Sequence, residues 1–347
     1  MKTFPPAREP GGVIIMKLRR ILSNIKRVSR LYAGTKKSVN WTRWQIGKGI
    51  SGRASHLSDD SAREILLDYH LPPENTWTGC AMKAQRTKSV SIIVPVYNAE
   101  NYLEECLSDV LREMKGISAE LLIIDDGSTD ATPALLRNYE GLPDVRVIRT
   151  VNRGPARARN IGIRESCGEY LMFVDADDRL REGMLGKLLK LTQQDAIDIA
   201  CCNYTVFSDQ AESKNQTYPN AVLSDYGDKC AVNGFPWGKL FRYHLFEQAG
   251  FPENFLFEDT VVHWLFFRMS RNMAVTDEPG YRYRINFQGV SYLVSRSARI
   301  SLDTVWVLEE MLRQRQALSL PFLVSDTEEF LRHTTVYSYY RISGMEK

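Results

Sequence analysis

From residue 88 onward, short apolar runs alternate with amphipathic stretches of helical period. Four of the runs have the length and β-branched content of buried strands, at residues 90–97, 120–126, 145–148 and 170–174. Between them, apolar residues recur every three to four positions, as they do on the buried face of a helix. Strands that alternate with helices in this way predict an α/β fold, with a mainly parallel sheet and helices on both faces.

Polar residues follow three of these strands. Tyr97 and Asn98 come after the first, Asp126 and Gly127 after the second, and four residues reading DADD, 175–178, after the fourth. Ligands of such sheets bind at the carboxyl ends of the strands, so the three segments predict one shared site. Each segment alone would be weak, because Asp and Gly also simply end strands. We also expect Asn98 to cap the helix that follows it.

Carboxylates without a cluster of His or Cys suit a hard divalent cation, Mg²⁺ or Mn²⁺, which commonly bridges protein oxygens to substrate phosphates. Arg153, Arg157 and Arg159, which follow the third strand, are candidates to face those phosphates; a solvated helix face is the alternative. No GxxxxGK[ST] loop is present, which excludes a P-loop nucleotidase at the level of motifs. The six cysteines include no CxxC pair, so a zinc knuckle is not expected.

The net charge of +3 conceals two unlike parts. Residues 1–50 carry twelve Lys/Arg against one acidic residue, or +11, and the rest of the chain carries −8. Residues 16–32 place apolar side chains on one helical face and basic ones around it, and Trp41 and Trp44 follow. This pattern predicts peripheral contact with an anionic membrane surface, with a solvated basic tail as the alternative. No nucleic-acid-binding module is recognisable, and no apolar run is long enough to span a membrane.

Four segments resemble, in order and spacing, the signatures of family-2 inverting glycosyltransferases with the GT-A fold. They read VSIIVPVYNAENYLEECL, LLIIDDGSTD, NRGPARARNIGI and GEYLMFVDADD. A further segment from Trp237, WGKLFRYHLFEQAGFPENFLFEDTVV, is similar to the acceptor side of bacterial capsule and surface-polysaccharide members. The resemblance covers about residues 88–290, and it implies the GT-A fold, which is Rossmann-like, for this part of the chain.

Carried onto this sequence, the resemblance implies a role for each matching residue. The nucleotide-sugar donor would contact Pro95, Val96, Tyr97, Asp126, Arg157, Asn160, Asp175, Ala176 and Asp177. Mn²⁺ or Mg²⁺ would be held by Asp177 and Asp178, the acceptor would be bordered by Trp237, Lys239 and Glu258, and Asp259 would act as the catalytic base. Some related enzymes add a C-terminal His as a metal ligand, and His263 and His333 are the options here.

The implied activity is transfer of a sugar, with inversion, from a UDP-sugar to a hydroxyl of a glycan or lipid-linked acceptor in surface-polysaccharide synthesis. A sugar nucleotidyltransferase is one alternative. It would require a glycine-rich basic loop directly after the first strand, where this chain has Tyr97, Asn98, Ala99 and Glu100. A catalytically inactive binding protein of the same fold is the other. We expect a cytoplasmic protein, held peripherally on the inner face of the cell membrane.

Three parts of the chain are expected. Residues 1–87 form a basic extension, residues 88–298 the GT-A domain, and residues 299–347 a helical region. The last assignment depends on apolar residues at helical spacing, among them Val307, Leu308, Met311 and Leu312.

Overall fold

The computed structural model describes residues 86–194, 196–208, 211–214, 217–287, 289, 303–320 and 326. The basic segment at residues 16–32, the tryptophans at 41 and 44, and His333 lie outside the described residues, so the predictions made for them stay predictions. The domain boundaries expected at residues 87 and 298 also stay predictions.

The described residues form an α/β structure. Its strands are β1 (Lys88–Val96), β2 (Ala119–Asp125), β3 (Val145–Arg149), β4 (Gly168–Phe173), β5 (Arg179–Leu180), β6 (Ile197–Phe207), β7 (Glu212–Lys214), β8 (Ala221–Leu223), β9 (Lys239–Arg242) and β10 (Asn272–Arg284). Its α-helices are α1 (Leu103–Met114), α2 (Thr132–Leu136), α3 (Pro155–Glu165), α4 (Met184–Thr192), α5 (Tyr226–Lys229), α6 (Phe267–Met269) and α7 (Asp303–Ala317). A 3₁₀ turn occupies Tyr243–Phe246 and a π-helical turn occupies Val262–Phe266.

All ten of these strands belong to one sheet. Its order is β3-β2-β1-β4-β9-β6-β10-β5, with β7 on β6 and β8 on β10. The first four strands of this order pair in parallel, and β6 and β10 also pair in parallel. Strand β9 runs antiparallel to both of its neighbours and joins the two parallel groups. The mainly parallel sheet predicted from the sequence is therefore confirmed.

Helices cover both faces of the parallel part of the sheet. On one face, Leu103 and Leu107 of α1 and Leu185 of α4 share a buried core with Val90 and Ile92 of β1. On the other face, α3 packs so closely on β1 that a Cβ on Gly162 would lie 2.4 Å from the Cγ2 of Ile93. Ile92 and Ile93 are adjacent in β1 and point to opposite faces of the sheet. Both are fully buried, because helices lie on each side.

The prediction that Asn98 caps the first helix is wrong. Helix α1 begins at Leu103, after Tyr102, and no side chain caps it. Asn98 instead adopts a left-handed conformation, with φ 47°, and its Oδ1 accepts a hydrogen bond of 2.8 Å from the backbone N–H of Thr129. Because Asn tolerates this conformation and accepts bonds locally, it serves a turn between two strand ends rather than a helix start.

The predicted helix in the C-terminal region is confirmed where the structure describes it. Helix α7 buries Trp306, Val307, Leu308 and Met311. Among the helices of the described residues, none is long and apolar enough to cross a membrane.

Candidate functional site

Three polar segments predicted to converge lie at one edge of the sheet. In the registers of β1, Val96 pairs with Asp125 of β2, and Ile93 pairs with Phe173 of β4. The backbone N–H groups of Asp126 and Val174 continue this pairing by donating to the carbonyls of Val96 and Ile93. The segments that follow these strands are thus neighbours at the carboxyl edge, where ligands of parallel sheets bind.

Asp126 anchors the loop before helix α3. Its carboxylate is buried and accepts hydrogen bonds from the backbone N–H groups of Arg153, at 3.1 and 3.2 Å, and Gly154, at 2.7 Å. Burial raises the pKa of Asp126, against the effect of these two donors and of the nearby Arg157. Asp126 therefore fixes the loop, and a contact with a nucleotide base stays a prediction.

The other residues predicted to bind the donor differ in accessibility. Tyr97 is 50% exposed at the end of β1, Pro95 is half-buried and Val96 is buried. Arg157 is half-buried close to Asp126, and its Nε has no hydrogen-bond partner among the described residues. Tyr97 and Arg157 are therefore the two of these four that offer a ring face and a cation at this edge.

Asn160 is fully buried and braces the fold. Its Nδ2 donates to the carbonyl of Phe251, at 2.8 Å, and to Glu253, at 3.0 Å, while its Oδ1 accepts from the N–H of Phe251, at 3.0 Å. These bonds join α3 to a segment some ninety residues later. They favour a bracing role, and contact with ribose or phosphate stays a prediction.

The DADD segment is held by the end of strand β10 and the residues after it, 281–287, which we name the β10 tail. Asp178 is fully buried, and its two oxygens accept from the hydroxyl of Tyr281, at 2.6 Å, and the N–H of Arg284, at 2.7 Å. The Nε of Arg284 donates to the carbonyl of Asp177, and Asn286 donates to the Asp177 carboxylate, each at 2.7 to 2.8 Å. The tail thus fixes both the backbone and the carboxylates of this segment.

The DADD carboxylates concentrate negative charge in a poorly hydrated place. Burial raises the pKa of Asp177, and the nearby Asp175 adds to this effect. Burial, together with Asp175 and Asp177, raises the pKa of Asp178 well above its usual value. A bound cation would relieve this charge, so the residues fit a divalent metal, with Asp177 the better placed because both oxygens of Asp178 already accept hydrogen bonds.

No group of three or more His, Cys, Asp and Glu side chains could hold a metal unaided, among the residues that the structure describes. The ring of His263 lies against Gly234, and its Nε2 is 2.9 Å from the carbonyl of Val232. Mg²⁺ is often held by one or two carboxylates together with substrate phosphates. A metal at Asp177 would accordingly be completed by the phosphates of a donor.

Arg159 joins the DADD segment to Glu258, which directly precedes the predicted base Asp259. Its guanidinium is buried and donates to Asp175, at 2.8 Å, and to Glu258, at 2.6 Å. Burial raises the pKa of Glu258, an effect opposed by Arg159 and reinforced by Asp259. Sequence reasoning placed Arg159 only as a candidate for phosphate contact, and it missed this link because the two carboxylates are far apart in the chain.

Asp259 lies half-buried directly after Glu258. Phe257, which precedes Glu258, has φ 64°. On the other side, the N–H of Val262 donates to the carbonyl of Asp259 at 2.9 Å. A positive φ in a bulky residue is unusual, and the π-helical turn that begins at Val262 is of a kind often found at functional sites. Glu258 and Asp259 therefore lie between a residue of unusual backbone conformation and the π-helical turn, and these two features set the orientation of their side chains.

The two other residues predicted for the acceptor side are buried. Trp237 forms a β-bridge with Phe173, and its ring stacks on Tyr281 at 4.5 Å and on Phe235 at 4.6 Å. Lys239 is fully buried, and its ammonium donates to the side chain of Asn233 at 2.7 Å and to the carbonyl of Phe235 at 2.9 Å. Trp237 and Lys239 therefore shape the loop at residues 233–237, which lies beside the DADD edge.

Residues 91–255 match the family model described as "Glycosyl transferase family 2". The chain is similar to the protein EpsH of Bacillus subtilis, with 31% identity over 218 residues, which are 59% of this chain and 63% of the relative. The chain thus spans less than two thirds of the length of this relative.

Two solved structures resemble the fold. TarS 1-349 of S. aureus, in complex with UDP-GlcNAc, has a TM-score of 0.53 and 18% identity, covering 74% of this chain and 88% of that one. The mannosyltransferase PcManGT from Pyrobaculum calidifontis, in complex with GDP-Man and Mn²⁺, has a TM-score of 0.50 and 17% identity, covering 82% and 79%. At this identity the likeness concerns the fold, and it confirms the GT-A architecture expected from the sequence.

Proposed function

We propose that residues 91–255, which match the model of glycosyl transferase family 2, transfer a sugar with inversion from a nucleotide-sugar to an acceptor hydroxyl. The observation that carries the proposal is the ion-paired bridge of Arg159, which joins Asp175 of the DADD segment to Glu258, beside the proposed base Asp259. A donor-binding edge and a base are thereby held together on one rigid framework.

The donor is proposed to be a UDP-sugar. The exposed ring of Tyr97 offers a face for the base, Pro95 and Val96 precede it at the end of β1, and Asp126 follows the neighbouring strand β2. The cation of Arg157 suits the ribose or diphosphate, and Asn160 fixes the helix that carries it. Asp175, Ala176 and Asp177 complete the donor side at the end of β4.

Mn²⁺ or Mg²⁺ is the proposed cofactor, held by Asp177 with Asp178 in support. Such an ion, when bound, neutralises charge on the leaving nucleoside diphosphate. The β10 tail contributes by fixing both carboxylates before any donor arrives, since Tyr281, Arg284 and Asn286 hold the segment.

Asp259 is the proposed general base. It removes the proton from the acceptor hydroxyl while the oxygen forms a bond to the anomeric carbon of the donor sugar. The bond from that carbon to the diphosphate breaks in the same displacement, and the nucleoside diphosphate leaves. A single displacement on the opposite face inverts the configuration, and no nucleophile of the enzyme is needed.

The acceptor is proposed to be a glycan or lipid-linked saccharide of surface-polysaccharide synthesis. It would approach beside Glu258 and the loop shaped by Trp237 and Lys239. The basic N-terminal segment, with +11 over fifty residues, would hold the enzyme peripherally at the inner face of the cell membrane, where lipid-linked acceptors reside.

The test is nucleotide release from a panel of nucleotide sugars with Mn²⁺ and a saccharide acceptor. We expect UDP release by the wild type, its loss in Asp177→Ala, and a fall of roughly 10²- to 10⁴-fold in transfer for Asp259→Asn with UDP binding retained. Transfer that survives in Asp259→Asn would remove the base assignment. Release of pyrophosphate would instead indicate a nucleotidyltransferase, and donor binding without any turnover an inactive binding protein.

A further inference from the structure

Asn286 contacts the proposed metal ligand from outside the DADD segment. Its Nδ2 lies 2.8 Å from the Oδ2 of Asp177, and the two residues are 109 positions apart in the chain. An amide N–H that donates to a carboxylate uses one oxygen of that carboxylate and restricts its rotation. The other oxygen, Asp177 Oδ1, is not used by this amide, so we expect it to be the one that binds a cation.

The backbone on both sides holds Asn286 in place. The N–H of Ile285 donates to the carbonyl of Phe207 at 2.9 Å and so fixes the tail to the end of β6. After Asn286 the chain turns at once, because the N–H of Gly289 donates to the Asn286 carbonyl at 3.1 Å. A Cβ on Gly289 would lie 3.2 Å from that carbonyl oxygen, so the glycine permits the tight turn.

Asn286 and the residues that hold Asp178 belong to the same tail but act differently. Asp178 is fully buried with a donor on each oxygen, from Tyr281 and Arg284, which suits a structural carboxylate. Asp177 accepts from Asn286 on Oδ2. The nitrogen of an amide has no lone pair for a metal, so the group that Asn286 turns toward Asp177 orients the ligand and does not replace it.

We propose that Asn286 is a positioning residue for the metal. Its Nδ2 orients the Asp177 carboxylate for a divalent cation and does not itself bind the cation. The inference rests on the metal site of the proposed function. Groups that orient metal ligands from behind contribute strongly to affinity, and their removal weakens metal binding by roughly 10- to 100-fold.

The test is direct Mn²⁺ binding to the full chain in the presence of UDP, whose phosphates supply the remaining ligands. Binding is measured by electron paramagnetic resonance of the free ion, against the same Mn²⁺ and UDP without protein. We expect Asn286→Leu, which has a similar size and no donor, to weaken Mn²⁺ binding by roughly 10- to 100-fold. Asn286→Ser, whose hydroxyl is too short to reach Asp177, should do the same if the leucine variant does not fold. Ile285→Ala, at a 44% exposed neighbour, is the matched control and should bind Mn²⁺ as the wild type does.

The outcomes separate this inference from the proposed function. If Asp177→Asn loses Mn²⁺ while a folded Asn286→Leu or Asn286→Ser stays within twofold of the wild type, only the role of Asn286 is overturned. If the wild type and Asp177→Asn bind Mn²⁺ equally, or neither binds it, the metal site itself is overturned and the role of Asn286 falls with it.

Discussion

Arg159 is the residue on which two acidic segments converge. Its side chain is 6% exposed, and its partners Asp175 and Glu258 are 27% and 13% exposed. The planar guanidinium can donate to both carboxylates at once, which a lysine ammonium does with poorer geometry. The two carboxylates repel each other and are poorly hydrated. The positive charge of Arg159 between them offsets this repulsion and stabilises both in their partly buried positions.

We expect Arg159→Met to lower the free energy of unfolding by about 3 kcal/mol, because two partly buried carboxylates lose their shared partner. Arg159→Lys should fall between this variant and the wild type. Urea denaturation measures the change, and Arg149→Met is the control, since Arg149 and Glu140 form a surface pair with both side chains about half exposed. That control should change stability by less than about 1 kcal/mol. Equal effects at positions 149 and 159 would contradict this account.

At the scale of elements, the approach of α3 to the sheet depends on a missing side chain. Gly162 lies inside α3, where glycine is unfavourable, yet a Cβ there would lie 2.4 Å from Ile93. Gly186 lies inside α4 and would meet nothing within 4 Å. The two glycines share a helical conformation, so they differ in packing and not in backbone preference. Close packing of α3 places Arg157 and Arg159 at the edge of the sheet.

Alanine at the two positions should therefore have opposite effects on stability. Gly186→Ala should raise the free energy of unfolding by up to about 1 kcal/mol, the gain in helix propensity. Gly162→Ala has the same gain but adds a methyl group against Ile93, and overpacking of this kind costs about 1–3 kcal/mol. We expect a net loss of stability in thermal or urea unfolding. A Gly162→Ala protein as stable as Gly186→Ala would refute the close approach of α3.

At the scale of the whole molecule, charge is divided along the chain. The first fifty residues carry +11 and the remaining 297 carry −8. An acidic body suits a cation site, whereas a concentrated basic segment suits an anionic membrane surface, to which each Lys or Arg contributes about 1 kcal/mol. The two proposed functions require opposite charges, which the two parts of the sequence carry.

Deletion of residues 1–50 should move the protein from the membrane to the soluble fraction and leave UDP binding unchanged. Fractionation after centrifugation measures the first effect, and titration with UDP the second. A full-length variant with glutamine at the basic positions of residues 17–30 should behave like the deletion, because the attraction depends on charge and weakens as salt is added. A distribution that neither change alters would mean that the segment is a solvated tail.

The sequence by itself determined the alternation of strands and helices from β1 to β4 and the edge of the sheet that carries the polar residues. Both depend on local patterns: β-branched runs, helical spacing, and polar residues directly after a strand. The helix cap predicted at Asn98 from the local sequence was wrong, because the side chain accepts a hydrogen bond from the N–H of Thr129 and not from the first turn of the helix. The role of each site residue stays a prediction.

Only the tertiary structure decided which side chains support one another. Arg159 meets Glu258 across 99 positions and Asn286 meets Asp177 across 109, and no local periodicity relates such pairs. Their meeting depends on strand order, which places β10 beyond β6 and β9 while its tail returns to the end of β4. The physical reason is that hydrogen bonds between distant segments are set by the packing of whole elements, which a linear pattern does not encode.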